Sequence, residues 1–268
     1  MLSGNCQHLK RWMMSMPPAR RGRAYLNFIA SHDGIGLRPA EGLLSSDEHD
    51  SLISTIRNFG GEISMRRMPD GSLKPYEANI SLYSAMAGTI EHGKDEWQLD
   101  RFVTAHTIML ALEGLPAFYI HSLLGTENDT QGMADTGQAR SINRYKWDRQ
   151  ALEDTLDNEE LHHRKLFDEL KRRISIRKQQ AAFHPNATQY TLHFGNEIFA
   201  FWRESLDRSQ SIFAIHNITD KTQTIPLVEL NLITTERWTD LLNGKSYCSQ
   251  DTHLELPPYG CAWISNLT

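Results

Sequence analysis

A short apolar run that breaks into a His-Asp-Gly turn limits the folds open to this chain. Residues 25–30 are apolar or aromatic apart from one asparagine, which is typical of a short buried strand. His32, Asp33 and Gly34 follow at once, and Asp-Gly marks a tight turn because glycine tolerates positive φ angles. A titratable pair therefore stands where a core strand ends, which is where (β/α)8 barrels place catalytic side chains. Taken alone, the pair is more simply a turn in which Asp33 bonds its own backbone.

Composition indicates a soluble globular protein and excludes several function classes. The 268 residues suffice for one large domain or two modest ones. A net charge of −5 argues against a nucleic-acid or membrane partner. Three widely spaced cysteines, Cys6, Cys248 and Cys261, argue against a disulfide framework or a zinc site and favour a reducing cytoplasm. No run has the length of a signal-peptide core or a membrane span.

Helical and strand patterns alternate after the turn. Helices are predicted over residues 47–58 and 97–112, and a second buried strand over residues 117–124. Two strands separated by helices imply a parallel pair joined by a crossover. His106 lies inside the second helix, where a core histidine is expected rather than a ligand. A long charged helix is predicted over residues 153–179.

After His184 the pattern changes to short alternating stretches separated by turn residues. These stretches cover residues 189–194, 198–202, 212–217, 222–227 and 254–264. Their spacing predicts an antiparallel β domain, with Asn243-Gly244 as a hairpin turn. The chain is therefore predicted to be an α/β domain over residues 1–184 followed by an all-β domain over residues 185–268.

Two loop-like stretches carry further candidate residues. Residues 68–80 contain Tyr76 and Glu77, and from spacing alone an exposed loop is favoured there. The long stretch that begins at Thr126 leads to Arg140 and Arg144. These arginines are either a helix-start charge pair with an acidic partner or donors to paired oxygens.

The string from Asn27 to Pro39 closely resembles the end of the seventh barrel strand in the α-amylase family. More narrowly, it resembles the branch that holds sucrose, sucrose 6-phosphate and glucosylglycerate phosphorylases. The resemblance covers nearly the whole chain and is most specific at residues 27–39, 72–83 and 115–144. It implies the last two βα units of a (β/α)8 TIM barrel, followed by a small antiparallel β domain.

The resemblance also implies roles for individual residues. Asp33 would stabilise the transition state, and His32 would bind the sugar ring in the subsite where the bond breaks. Arg144 would bind glucose hydroxyls, and Arg140 would support it.

The acceptor side differs from the family pattern at two positions. Tyr76 and Glu77 would line that side, where sucrose phosphorylases carry a Tyr-Gln pair. Glu127 stands where relatives with phosphorylated acceptors are expected to carry a basic residue. Both departures concern the choice of acceptor.

Retaining glycoside chemistry needs a carboxylate nucleophile and a carboxylic acid about 5 Å apart. In the α-amylase family both come from strands upstream of the His-Asp motif, and the residues before Asn27 contain neither motif. The resemblance therefore implies the carboxyl-terminal portion of a larger enzyme. That enzyme would release α-glucose 1-phosphate from an α-glucoside with inorganic phosphate, without a cofactor or a metal.

Two other functions stay open. One is a hydrolase or transglucosidase of the same family, and the other is a non-catalytic carbohydrate-binding or structural fragment. The expected partners are a sugar and inorganic phosphate, with neither nucleic acid nor membrane. The truncated chain is expected to be inactive and to self-associate, because its barrel strands would have open edges.

Overall fold

The computed structural model describes residues 1–20, 22–230, 232, 237–248 and 250–267. In these ranges the α-helices are α1 (Gln7–Ser15), α2 (Ser46–Asn58), α3 (Leu82–Ala85), α4 (Gln98–Ala111), α5 (Ile120–Leu123), α6 (Thr130–Thr136), α7 (Arg149–Asp157) and α8 (His162–Lys178). The strands are β1 (Leu26–Asn27), β2 (Ile35–Gly36), β3 (Glu62–Arg67), β4 (Leu73–Asn79), β5 (Gly88–Thr89), β6 (Gly93–Lys94), β7 (Leu115–Pro116), β8 (Thr188–Leu192), β9 (Ile198–Glu204), β10 (Ser211–Asn217), β11 (Gln223–Pro226), β12 (Trp238–Asp240), β13 (Ser246–Tyr247), β14 (His253–Leu256) and β15 (Cys261–Ser265). Short 3₁₀-helices cover Arg38–Ala40, Ala139–Asn143, Ala181–Phe183 and Leu227–Leu230.

The strands β1 and β7 form a parallel pair, which confirms the predicted crossover. Leu26 faces Leu115 in the register, and the peptide N–H of Ala117 donates to the carbonyl oxygen of Asn27 at 2.8 Å. The predicted strand over residues 117–124 is wrong, because β7 lies just before it and α5 occupies its second half. A short apolar run has the same pattern in a buried strand and in a short helix, so the sequence could not distinguish the two here.

A three-stranded antiparallel sheet, in the order β2-β4-β3, stands where an exposed loop was expected at residues 68–80. The turn between β3 and β4 contains Gly71, whose φ of +84° suits glycine. β2 follows the His-Asp-Gly turn directly and pairs with β4, placing Gly36 opposite Glu77. Pro75 lies inside β4, and proline weakens the strand pattern of a sequence.

The helices predicted over residues 47–58 and 97–112 are confirmed as α2 and α4. The single helix predicted over residues 153–179 is wrong, because α7 and α8 are separate. Between them, the side chain of Asn158 accepts a hydrogen bond from the peptide N–H of Glu160 at 3.0 Å. Local bonds of this kind compete with helix continuation. No helix within the described ranges is both long enough and apolar enough to cross a bilayer.

The carboxyl-terminal strands confirm the predicted antiparallel sheets. Six of them form one sheet in the order β13-β12-β15-β10-β9-β8, and β11 pairs with β14. Asn243 and Gly244 lie in the connection between β12 and β13, where the φ of Gly244 is +78°. One core cluster joins Met13 of α1 and Ile108 of α4 to Trp263 of β15. The all-β region therefore shares its core with helices from the first part of the chain.

Arg203 in β9 is a fully buried cation that joins this sheet to the end of α4. Its guanidinium donates to four backbone carbonyl oxygens: Ala111 at 2.6 Å, His184 at 2.9 Å, and Thr188 and Ala187 at 3.3 Å each. Burial lowers its pKa to about 9, so the side chain stays charged at neutral pH.

Replacing Arg203 with methionine is expected to destabilise the fold by at least about 3 kcal/mol, because buried carbonyl groups would lose their donors. Urea unfolding followed by tryptophan fluorescence measures the change. Arg149→Met is the matched control, since the side chain of Arg149 is 90% exposed, and it should leave the midpoint unchanged. A midpoint for Arg203→Met equal to that of the control would contradict the role given to these bonds.

Two buried histidines make stability depend on pH. His106 in α4 and His216 in β10 each place Nδ1 2.9 Å from a backbone carbonyl oxygen, which confirms His106 as a core residue. Burial lowers the pKa of His106 to about 4 and that of His216 to about 3. Both rings are therefore neutral in the folded protein at mildly acidic pH.

Stability is expected to be full above pH 6.5, the ordinary histidine pKa, and to fall as the pH drops toward the folded values. Between about pH 7.5 and about pH 5.5 the two histidines together should account for a loss of about 3 kcal/mol, since only the unfolded chain takes up their protons. Urea unfolding at both pH values measures this loss. His106→Gln should remove about half of the dependence, and an unfolding free energy independent of pH would refute the assignment.

Candidate functional site

The turn after β1 is held by side chains from the segment after β7. Asn143 donates through Nδ2 to the carbonyl oxygens of Ser31, at 2.5 Å, and Asp33, at 3.1 Å. Arg144 donates through Nε to the carbonyl oxygen between them, that of His32, at 2.8 Å. Three consecutive carbonyl groups of the turn are thus bound by two consecutive side chains.

The carboxylate of Asp33 lies between two guanidinium groups. Its Oδ1 is 2.9 Å from Nη1 of Arg140 and 3.4 Å from Nη2 of Arg144. The ring Nε2 of His32 is 3.9 Å from the same oxygen, and the His32 side chain is 71% exposed. The carboxylate is 41% exposed, so water screens these ion pairs. They orient the carboxylate but contribute little to the stability of the fold.

Glu77 supports the turn from the β4 side. Its Oε1 accepts the peptide N–H of Gly34 at 2.8 Å, and its Oε2 accepts Nε of Arg140 at 3.0 Å. The hydrogen bond that Arg140 donates to Glu77, and then the charge of Glu77, raise the pKa of Arg140, and the charge of Asp33 raises it further. A Cβ at Gly34 would lie 2.6 Å from Cγ of Glu77, so this close approach requires glycine.

A cavity of about 190 Å³ opens beside Asp33. Its lining residues are Phe28, Ile29, Ala30, Ser31, Asp33, Gly34, Ile35, Gly36, Ile80, Leu82 and Asn143. Many of these side chains are apolar or absent, and Ser31, Asp33 and Asn143 supply polar groups. Small-ligand sites combine apolar walls with a few fixed polar groups in this way.

The structure brings five predicted site residues into one network: His32, Asp33, Glu77, Arg140 and Arg144. Tyr76 stands apart from their hydrogen bonds, with a side chain that is half exposed on β4 next to Glu77. Glu77 is 5% exposed and both its carboxylate oxygens are bonded within the protein, so little of the carboxylate is accessible to a substrate. The sequence left open whether the arginines have an acidic partner. Arg140 pairs with Asp33 and Glu77, and Arg144 pairs with Asp33.

Sequence reasoning gave no role to Asn143 or Tyr119. Asn143 is 6% exposed, and its backbone carbonyl oxygen accepts the hydroxyl of Tyr119 at 2.8 Å. The sequence feature that could have marked Asn143 as a site residue was its position between two candidate arginines. No such feature marked Tyr119, because it lay inside a wrongly predicted strand.

No group of three or more His, Cys, Asp and Glu side chains is arranged to hold a metal ion in the described part of the chain. Cys6, Cys248 and Cys261 are free thiols. The groups that the candidate site presents are two carboxylates, two guanidinium groups and an imidazole.

No protein-family model matches the chain. The glucosylglycerate phosphorylase of Allomeiothermus silvanus is 31% identical over 262 residues, which cover 98% of this chain and 44% of that protein. This chain belongs to the sucrose phosphorylase-like branch of the α-amylase family.

Other members of the branch also match this chain over only part of their own length. The sucrose phosphorylase of Bifidobacterium adolescentis is 27% identical over 139 residues, covering 48% of this chain and 26% of that protein. The crystal structure of sucrose 6F-phosphate phosphorylase from Thermoanaerobacter thermosaccharolyticum aligns with a TM-score of 0.65 and 18% identity, covering 80% of this chain and 40% of that one. The chain spans less than half the length of these sucrose phosphorylase-like relatives.

Proposed function

We propose that this chain forms the carboxyl-terminal part of a retaining glycoside phosphorylase that transfers an α-glucosyl group to inorganic phosphate. Membership of the sucrose phosphorylase-like branch supports the reaction class. The observation that carries the proposal is the meeting of Asp33 with Arg140 and Arg144 beside one cavity. Glucosylglycerate is the first substrate to test, because a relative named for it matches 98% of the chain.

In the proposed architecture, β1 and β7 are the last two strands of a (β/α)8 barrel. Residues 1–184 then belong to the catalytic domain and residues 185–268 to an all-β domain. The parallel pairing supports this arrangement. So do Leu26 and Leu115, which face each other in the register and are 64% and 50% exposed. In a barrel such side chains would be covered by neighbouring strands and helices.

Exposed apolar strands should make the 268-residue chain self-associate when it is produced alone. Sedimentation velocity measures its oligomeric state over a range of concentrations. Leu26→Ser combined with Leu115→Ser should reduce association. A monodisperse wild-type monomer that melts cooperatively would argue against an incomplete barrel.

The proposed reaction proceeds in two displacements at the anomeric carbon. A carboxylate nucleophile from an upstream strand attacks this carbon, while a carboxylic acid protonates the departing oxygen. An oxygen of inorganic phosphate then attacks the glucosyl-enzyme and loses its proton to the same acid residue, now a base. The carboxylate leaves, and α-glucose 1-phosphate is released with retention of configuration.

The residues of this chain bind and stabilise rather than react covalently. The Asp33 charge favours the oxocarbenium-like transition state, and His32 holds a ring hydroxyl. Arg144 anchors the glucose, and Arg140 supports Asp33 from the other side. Tyr76 borders the acceptor, with Glu77 next to it.

The test uses the complete enzyme, in which this chain is joined to the strands that supply the nucleophile and the acid. Glucosylglycerate and sucrose are each incubated with and without inorganic phosphate, and glucose 1-phosphate and glucose are measured. Phosphate-dependent glucose 1-phosphate supports the proposal, and the 268-residue chain alone should produce none. Release of glucose at a rate independent of phosphate would identify a hydrolase instead. Sugar binding without turnover would favour a carbohydrate-binding role.

A further inference from the structure

In the described part of the segment after β7, Asn143 and Arg144 are the residues whose side chains bind the backbone of residues 31–33, here called the catalytic turn. β1 ends at Asn27, so the carbonyl groups of residues 31–33 lie beyond its ladder with β7. Buried or half-buried carbonyl groups need donors. Asn143 supplies two of the three bonds from a single amide nitrogen, to the first and the third carbonyl oxygen. An asparagine amide has two N–H groups and so serves both.

The position of Asn143 is itself fixed from two directions. It is the last residue of the 3₁₀-helix Ala139–Asn143, where residues three apart lie on the same side. Arg140 is three residues earlier, so the same side of this helix presents Arg140 to the Asp33 carboxylate and Asn143 to its backbone. The hydroxyl of Tyr119 holds the Asn143 carbonyl oxygen from the segment just after β7. Asn143 is nearly fully buried, and its backbone is held by the 3₁₀-helix before it and by the hydroxyl of Tyr119.

We propose that Asn143 is a positioning residue, which sets the orientation of the Asp33 carboxylate by holding the backbone on either side of His32. This inference rests on the proposed function, since Asp33 is taken as the group that meets the substrate. Asn143 reaches the reaction only through Asp33. Without the amide, the turn keeps the Arg144 bond to the His32 carbonyl oxygen and the Glu77 bond to the Gly34 N–H. The carbonyl groups of Ser31 and Asp33 lose their donor, so the peptide groups on either side of His32 are freer to rotate.

The test compares Asn143→Ala with Asn217→Ala in the complete enzyme. Asn217 in β10 is a matched control, because it is also buried and its Nδ2 also donates to backbone carbonyl oxygens, among them those of Lys221 at 2.7 Å and Pro257 at 2.8 Å. These partners lie in the all-β region and do not line the cavity beside Asp33. Both variants should lower Tm by similar amounts. Only Asn143→Ala should lower kcat, by about 10- to 100-fold, the usual effect of a misplaced catalytic group.

A double-mutant cycle with Asp33→Asn separates positioning from a general loss of structure. If Asn143 acts through Asp33, Asn143→Ala should have little further effect on kcat once Asp33 is replaced. Asn143→Ser serves if the alanine variant does not fold, because its hydroxyl keeps the site polar but is too short to reach either carbonyl oxygen. A kcat within 3-fold of wild type in the folded variant, or a full loss that repeats in the Asp33→Asn background, would overturn the inference. Failure of the proposed function is distinguishable, because the wild-type enzyme itself would then release no glucose 1-phosphate.

Discussion

Asp33→Asn in the complete enzyme is expected to lower kcat and kcat/KM together by about 100- to 1,000-fold, while the protein folds normally. The carboxylate is proposed to act mainly in the transition state, through its charge and its hydrogen bonds to the sugar. Interactions made only in the transition state lower both constants equally when they are removed. Asparagine has nearly the same shape and is tolerated in turns, so the backbone bonds to Asn143 and Arg144 should persist.

Two measurements on the purified variant decide the matter: steady-state phosphorolysis and a thermal melt. Asp135→Asn is the matched control, because Asp135 is an exposed carboxylate on α6 that bonds only Gln131 among the described residues. It should keep wild-type kinetics. If Asp33→Asn turns over at near-normal kcat, Asp33 is only a turn residue and leaves the proposed active site.

Arg144→Ala is expected to lower kcat/KM by about 100- to 1,000-fold, with a large share in KM. The substitution removes the proposed donors to glucose and two contacts within the site. Those contacts are the bond to the His32 carbonyl oxygen, at 2.8 Å, and the ion pair with Asp33, at 3.4 Å. Because each hydrogen bond from a charged donor contributes about 1.5–3 kcal/mol, two such bonds from the guanidinium to glucose account for a change of this size.

Arg144→Lys should rescue little, since an ammonium group cannot reproduce the planar fork of a guanidinium. Arg149→Ala, a few residues away on α7 and 90% exposed at its side chain, controls for the loss of a nearby positive charge. Initial rates over a range of glucoside concentrations separate KM from kcat. An unchanged KM for Arg144→Ala would show that glucose is anchored elsewhere.

The acceptor remains the least constrained part of the proposed reaction. Glu77 stands where the resemblance implies a glutamine, and its two oxygens bind Gly34 and Arg140. The effect of this departure is therefore expected to reach the substrate through the turn and Arg140. Tyr76, half exposed next to it, is the better candidate for direct acceptor contact.

Local sequence determined the parts of this protein whose signals are short-range. The periodicity of residues 47–58 and 97–112 was sufficient for α2 and α4, and the alternation after His184 was sufficient for the antiparallel sheets. The change of direction at His32 and Asp33 was indicated locally, but Gly34 does not have the positive φ expected of it, and glycine is required there by its close approach to Glu77. The resemblance of residues 27–39 to a known family then supplied candidate roles.

Only the tertiary structure decided what the remaining short segments became. Residues 120–123 are a helix and not a strand, and they pack against α8. Residues 73–79 are a strand and not a loop, and they pair with β3 in a hairpin and with β2, which lies much earlier in the sequence. The same holds within the site. Asn143 binds Ser31 across 112 positions, and Arg140 binds Glu77 across 63. Neither separation leaves a periodic trace in the chain, since a hydrogen bond between two folded segments depends on where both are packed and not on the spacing of either.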